Sequence, residues 1–138
     1  MRQAGTTLGF DTSGRGLTDI TATVAEWLAR TGIVEGLVTL LCRHTSASLL
    51  IQENAAREVR GDLLAWFEAV APEGDHYAHD DEGPDDMPAH LRATLTGVNL
   101  QIPVAQGRMR LGTWQGIYLA EHRRRPHRRE IAVHVIGE

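Results

Sequence analysis

Short apolar runs recur along the chain, and they are separated by two segments whose apolar residues repeat at helical spacing. The strand-like runs are GTTLGF, GLVTLLCRH, SASLLIQ, VNLQIPV, RMRLGTWQGIYLAEH and REIAVHVIG. Their β-branched residues and bounding turn residues predict strands, with HTS as a turn that pairs the second and third runs and AQG as a hairpin turn after the fourth. None of the runs approaches the roughly 18 residues of a membrane-spanning helix.

The segments TDITATVAEWLARTG and NAAREVRGDLLAWFEAVAP predict amphipathic helices, with Asn54 as the N-cap of the second. Their apolar faces hold Ile20, Val24, Trp27 and Leu28 in the first helix and Val59, Leu63, Trp66, Phe67 and Val70 in the second. MPAHLRATLTG predicts a short third helix, because Pro88 suits a first turn and Gly97 a helix end. The order β-α-β-β-α-α-β-β-β mixes hairpins with helices, so we expect one α+β domain over residues 1–138 with a mixed, largely antiparallel sheet.

Composition removes several classes of chemistry. Cys42 is the only cysteine, which excludes an intramolecular disulfide and a cysteine-rich zinc site. All 14 basic residues are arginine, so no lysine is present to form a Schiff base. The net charge of −4 argues against a general nucleic-acid binder. No export signal or membrane segment is visible, so we expect a cytoplasmic protein.

Charge is concentrated in two segments of opposite sign. Residues 73–86 hold seven acids and no base, whereas residues 108–129 hold seven arginines and one acid, Glu121. The stretch HDDEGPDDMPAH places five carboxylates between His79 and His90. Two interpretations account for it: a solvated acidic loop, or a loop whose mutual repulsion is offset by a bound cation.

A shared metal would require this loop to fold back and bring His79 to His90. Asp80, Glu82, Asp85 and Asp86 would then complete the ligand shell or orient an imidazole through its second nitrogen. His44 ends an apolar strand where the small residues of HTSAS begin, and it is either a ligand or a histidine hydrogen-bonded to that turn.

The segment GTWQG supplies polar groups of another kind. Gly112 and Gly116 allow close backbone approach to a ligand beside Thr113 and Gln115, and we expect Trp114 in the core or at an interface. Nearby arginines, among them Arg123, suit phosphate oxygens. Glycine-rich nucleotide-binding motifs and a serine-hydrolase elbow do not occur.

Four stretches, HTSASL, QENA, HDDEGPDDMPAHL and GTWQGIYLAEHR, together resemble the YjbQ family, known as secondary thiamine-phosphate synthases. The resemblance is colinear from about Gly36 to the final strand, and the joint occurrence of DDMPAH and GTWQGI at this spacing is specific. It implies a compact α+β fold that assembles as a homotrimer, with a histidine-lined pocket near the subunit boundary. It also implies a small phosphorylated substrate and a weak transferase activity that joins hydroxymethylpyrimidine diphosphate to thiazole phosphate.

The resemblance also implies roles for individual residues. The metal ligands would be His44, His79 and His90, and the ion a divalent one, either zinc, another transition metal or magnesium. The catalytic residues would be Asp80, Glu82, Glu121 and Arg123. The substrate-binding residues would be Asn54, Asp85, Asp86, Thr113 and Gln115. Two alternatives remain open: a metal-dependent hydrolase or lyase, and a non-catalytic trimer that binds a phosphorylated metabolite. Neither nucleic acid nor membrane is an expected partner.

Overall fold

The predicted helices and strands form, and the strands sort into two antiparallel sheets. A computed structural model describes residues 1–138. The strands are β1 (Arg2–Thr12), β2 (Gly16–Asp19), β3 (Gly36–Cys42), β4 (Ala47–Glu53), β5 (Asn99–Ala105), β6 (Arg108–Met109), β7 (Gln115–Glu121) and β8 (His127–Gly137). The helices are α1 (Thr21–Thr31), α2 (Arg57–Val70) and α3 (Asp86–Thr96). None of the three combines the length and the hydropathy needed to cross a bilayer.

One sheet has five strands in the order β1-β8-β3-β5-β6, and the other has three in the order β2-β7-β4. Every pairing is antiparallel, so the parallel component of the expected mixed sheet is missing. The AQG hairpin is confirmed: Ala105 pairs with Arg108, and Gln106 and Gly107 turn the chain with φ of 55° and 74°. Two consecutive residues with positive φ suit the tight turn between twisted strands.

The predicted pairing through HTS is wrong. β3 lies between β5 and β8, whereas β4 pairs with β7 in the other sheet. The chain therefore changes sheets at His44–Ser46 rather than reversing within one. RMRLGTWQGIYLAEH likewise divides, because its first residues form β6 and its last form β7 in the other sheet.

A cluster of 17 buried residues fills the space between the sheets and α1. It includes Val38, Leu40, Ile131 and Val133 from the larger sheet, Leu49, Ile117 and Leu119 from the smaller sheet, and Val24 and Leu28 from α1. β8 alternates buried and exposed residues, as expected for a strand with one face in the core. The core therefore supports the inner faces of both sheets.

α2 contributes much less to this core than its sequence pattern predicts. Phe67 is its one buried residue, while Trp66 and Val70 are 48% and 47% exposed. The predicted cap is also wrong: the helix begins after Ala56, and the carboxylate of Glu53 accepts the N–H groups of Ala55 and Ala56. Asn54 instead donates to carbonyl groups of the GTWQG segment.

Candidate functional site

A cluster of two histidines and one aspartate lies at the start of α3. Asp86 is the first residue of the helix, and His90 lies one turn later on the same face. His79 comes from the preceding loop, which folds back so that the two imidazole centroids are 5.6 Å apart. One ligand atom from each of the three residues lies within 4.8 Å of the others.

Both imidazoles meet the same carboxylate oxygen. Nε2 of His79 lies 2.7 Å from Oδ2 of Asp86, and Nε2 of His90 lies 3.1 Å from the same oxygen. The Asp86 side chain is 3% exposed, whereas those of His79 and His90 are 42% and 30% exposed. The cluster thus has a buried anionic floor and imidazole walls that reach solvent.

The orientation of His90 is set by the backbone at the start of β4. Its Nδ1–H donates to the carbonyl oxygen of Thr45 at 2.9 Å. A bond of this kind fixes which ring nitrogen keeps its proton, and it leaves Nε2 as the atom available to a cation. The turn HTS therefore contributes to the cluster through a carbonyl group rather than a hydroxyl group.

Arg123 holds the acidic loop in place from the end of β7. Its Nε donates to Asp85 at 3.0 Å, its Nη1 to Asp86 at 2.7 Å and its Nη2 to the carbonyl oxygen of Glu82 at 2.9 Å. The backbone N–H of Arg124 adds a bond of 2.9 Å to Asp85. The loop can therefore bring two buried carboxylates together because a guanidinium offsets their repulsion.

These contacts shift the titration of the cluster. Burial raises the pKa of Asp85, but the bonds from Arg123 and Arg124 more than offset burial and lower it to about 2. Burial likewise opposes ionisation of Asp86, yet its bonds to His79 and His90 and the charge of Arg123 leave its pKa below the usual range. The hydrogen bond to Asp86 raises the pKa of His79. Asp86 is therefore a permanent anion near neutral pH.

The donor set fits a divalent transition-metal ion. Two imidazole nitrogens and a carboxylate oxygen are the ligands of many catalytic zinc and iron sites, which keep further positions open for water or substrate. Magnesium prefers oxygen donors and fits this set less well. A cation binds an imidazole only through an unprotonated ring nitrogen, so cation binding would compete with protonation of the two rings.

His44 lies outside this cluster within the single chain. Its Nε2 accepts the backbone N–H of Glu130 at 2.8 Å, and burial followed by the charge of Arg129 lowers its pKa. His44 and His90 nevertheless line one cavity of about 560 Å³, together with Thr45, Thr94 and Asn99. The structure therefore places His44 beside the cluster, on the wall of a space large enough for a small substrate.

The residues predicted as catalytic are divided between the loop and the core. Asp80 and Glu82 have exposed side chains, and Glu82 meets Arg123 only through its carbonyl oxygen. Glu121 is 2% exposed, and its carboxylate accepts bonds from Thr12, Arg129 and the N–H of Arg123. These bonds, with Arg129 the largest, outweigh the effect of burial and lower the pKa of Glu121.

Asn54, Thr113 and Gln115 lie at the opposite end of the smaller sheet from the cluster. Gln115 begins β7 and Glu121 ends it, a span of roughly 20 Å at the usual rise per residue. Asn54 donates to the carbonyl oxygens of Thr113 and Gln115, which ties this segment to the end of β4. Trp114 is 64% exposed there, so it does not belong to the core.

Sequence reasoning missed two features of the site. It named Asp86 among four carboxylates that would complete a ligand shell or orient an imidazole, and the spacing of four residues between Asp86 and His90 places the two on one helix face. The carbonyl group of Thr45 left no signal in the sequence. His122 is 2% exposed and bonded to Ser48, and no pattern in GIYLAEH separates it from a solvent-facing histidine.

Comparison with known proteins agrees with this architecture. UPF0047 proteins of Synechocystis sp. and Salmonella typhimurium are 48% identical over 138 residues and 44% identical over 133 residues. These alignments cover 99% and 96% of this chain, and 94% and 96% of those proteins.

Solved structures extend the agreement to the fold. A YbjQ-like protein of unknown function from Sulfolobus solfataricus has a TM-score of 0.88 at 26% identity, over 99% of this chain and 100% of that chain. An uncharacterised YjbQ/UPF0047 protein from Clostridium acetobutylicum has a TM-score of 0.88 at 33% identity, over 95% of this chain and 99% of that chain. A family model described as UPF0047 protein YjbQ-like matches residues 6–138. The chain therefore belongs to the YjbQ-like UPF0047 family.

Proposed function

We propose that this chain is a cytoplasmic, divalent-metal-dependent enzyme that acts on a small phosphorylated substrate by chemistry of the thiamine-phosphate synthase type. The observation that carries the proposal is the convergence of His79 and His90 on one buried oxygen of Asp86. His90 also lines the adjacent cavity of about 560 Å³, so a group bound there would lie next to the cluster.

The proposed reaction joins hydroxymethylpyrimidine diphosphate to thiazole phosphate. The C–O bond to diphosphate breaks, the leaving group takes the electron pair, and the thiazole nitrogen forms the new C–N bond with its own lone pair. No general base is needed, which suits a site whose buried carboxylates, Asp85 and Asp86, have lowered pKa values. A bound divalent ion would supply electrostatic stabilisation to the departing diphosphate.

The protein's own residues would bind and position the reactants. Asp86 provides the anionic floor, and Thr45 holds the His90 ring in place. The N–H donors of Arg123 are bonded to Asp85, Asp86 and the carbonyl oxygen of Glu82. The proposed role of Arg123 is therefore to position the loop rather than to contact substrate. His44, on the cavity wall, is available to contact the bound rings.

A second candidate, a metal-dependent hydrolase or lyase, is favoured by the imidazole ligands. Two histidines suit zinc or another transition metal, whereas diphosphate chemistry commonly uses magnesium and oxygen ligands. In this candidate a metal-activated water is the nucleophile, so the rate should rise through a limb near neutral pH. The synthase reaction needs no such limb.

We also propose that the active assembly is a homotrimer. Asn54, Thr113 and Gln115 lie around the start of β7, roughly 20 Å along the strand from Glu121, and Trp114 beside them is 64% exposed. A neighbouring copy could present this segment to the cluster. Mixing inactive His90→Ala and Gln115→Ala protomers would restore part of the activity if the site is shared, and none if each protomer works alone.

The proposal is tested by measuring diphosphate release from the two substrates with metal-stripped protein and after addition of Zn²⁺, Co²⁺ or Mg²⁺. We expect metal-dependent release that His79→Ala and His90→Ala abolish and the exposed-site control His134→Ala retains. Equal release by all variants would contradict the proposal. Stabilisation by the substrates without turnover would indicate a binding protein instead.

A further inference from the structure

A second polar cavity lies between α3 and the connections around it, and its walls carry no hydrophobic residue. Its volume is about 270 Å³, and its lining, here called the arginine pocket, consists of Arg15, Glu68, Pro72, Glu73, Arg92 and Arg124. These residues come from the β1–β2 turn, the end of α2 and the segment after it, α3, and the β7–β8 connection. An apolar ligand has nothing to pack against here.

Arg92 is the unusual member of this pocket. Three arginines of the chain are buried, and two of them are ion-paired: Arg123 with Asp85 and Asp86, and Arg129 with Glu121. Arg92 is 3% exposed and has no carboxylate partner. A buried charge without a counter-charge is strongly unfavourable, so Arg92 lacks the compensation that the other two have.

Most of the N–H donors of Arg92 also have no hydrogen-bond partner in the protein. A guanidinium has five N–H donors, yet the single hydrogen bond of Arg92 runs from Nη2 to the carbonyl oxygen of Ala71 at 3.0 Å. Its Nε is buried and has no partner, and the same holds for Nε of Arg15. Two neighbouring arginines with unsatisfied donors on one cavity are a pattern that an oxyanion would complete.

The glutamates of the pocket do not supply the missing charge. Glu73 is bonded to both Arg15 and Arg124, and Glu68 meets Arg15 at 3.4 Å. Three guanidinium groups thus face two carboxylates, which leaves one positive charge that corresponds to Arg92. The two carboxylates would repel an incoming anion, but both are engaged by Arg15 and Arg124, so the charge of Arg92 is the one left to attract it.

We propose that the arginine pocket binds a phosphoryl group, as inorganic phosphate or as the phosphate of a small metabolite. The Nε and free Nη donors of Arg92, with those of Arg15, match phosphate oxygens in the way that guanidinium groups commonly do. The site is separate from the His79–Asp86–His90 cluster and does not depend on the function proposed for it. Arg92 and His90 lie on the same helix, so phosphate binding would also restrain α3.

The test is a titration of metal-free, full-length protein with inorganic phosphate at constant ionic strength, balanced with chloride and followed by calorimetry. We expect saturable binding of one phosphate per chain and a dissociation constant that rises at least roughly tenfold in Arg92→Gln, the loss typical of a charged hydrogen bond. Arg125→Gln removes the same charge from an exposed neighbour and should bind as the wild type does. If Arg92→Gln does not fold, Arg15→Gln should show the same loss.

His90→Ala separates this site from the metal cluster, because it should bind phosphate unchanged. A parallel titration with glycerol 3-phosphate identifies the source of the group: tighter binding points to a phosphorylated metabolite, and weaker binding to free phosphate. Either preference supports the proposal. No saturable binding beyond that of chloride, equal weakening by Arg125→Gln, or loss of binding in His90→Ala would overturn it.

Discussion

His122 is buried as a neutral imidazole, and its burial makes the free energy of unfolding depend on pH. The residue is 2% exposed, and its Nε2 lies 2.8 Å from the hydroxyl group of Ser48, which in turn accepts a bond from Thr96. Burial lowers the pKa of His122 from 6.5 to about 4, and the charge of Arg92 acts in the same direction. A change of pH from about 7 to about 4 should reveal this link between protonation of His122 and unfolding.

The magnitude follows from the two pKa values. Below pH 6.5 the unfolded chain takes up a proton at His122 that the folded chain excludes until the pH approaches 4. Each pKa unit corresponds to about 1.4 kcal/mol, so the contribution is fully present above pH 6.5 and about 3 kcal/mol of it is lost by pH 4. Stability therefore falls as the pH falls through this range.

The assay is urea unfolding of the wild type and His122→Gln at several pH values between about 7 and about 4. Glutamine offers an acceptor to Ser48 but does not titrate, so we expect the variant to lose about 3 kcal/mol less than the wild type. The exposed histidine variant His134→Gln should follow the wild type. Parallel pH dependences for the wild type and His122→Gln would refute this reasoning.

Three further predictions concern the site and its support. Glu121→Gln should lower the free energy of unfolding by about 3 kcal/mol, because Arg129 loses its buried partner; lost activity with unchanged urea stability would contradict this. His44→Ala should retain the metal in elemental analysis, because Nε2 of His44 is bonded to the backbone N–H of Glu130. The variant should weaken substrate binding, because His44 lines the cavity. Metal loss equal to that of His90→Ala would instead place His44 among the metal ligands. Asp85→Asn should weaken Zn²⁺ binding roughly tenfold in a competition titration, because Arg123 and Arg124 lose the acceptor that holds the loop. The exposed control Asp75→Asn should not, and an equal loss in both variants would point to net charge instead.

The local features of the fold were predictable, and the pairing of distant strands was not. Hydrophobic periodicity located α1 and α2, Pro88 and Gly97 located α3, and the AQG turn identified the β5–β6 hairpin. The pairing of β3 with β4 failed because a strand pattern shows which face is buried but not which strand lies beside it. β2 was missed because Gly16 reads as a turn residue and the strand has only four residues.

The candidate site also combines features that the local sequence predicts with features that depend on contacts between distant residues. The histidines at both ends of the acidic stretch predicted that the loop would fold back, and the rings of His79 and His90 do lie 5.6 Å apart. The loop is held by Arg123, which is separated from Asp85 by 38 positions and carries no local signal of that contact. The same holds for Thr45, whose carbonyl group reaches His90 across 45 positions. Roles that depend on such contacts require the folded chain.

The central claim, that His79, Asp86 and His90 form a site for one divalent cation, is tested most directly by titrating metal-stripped protein with Co²⁺. Absorbance from nitrogen ligation and elemental analysis after gel filtration would report the stoichiometry. We predict one ion per chain in the wild type and in His134→Ala, and loss of tight binding in Asp86→Asn and His90→Ala. Equal cobalt content and the same spectrum in all four proteins would contradict the account.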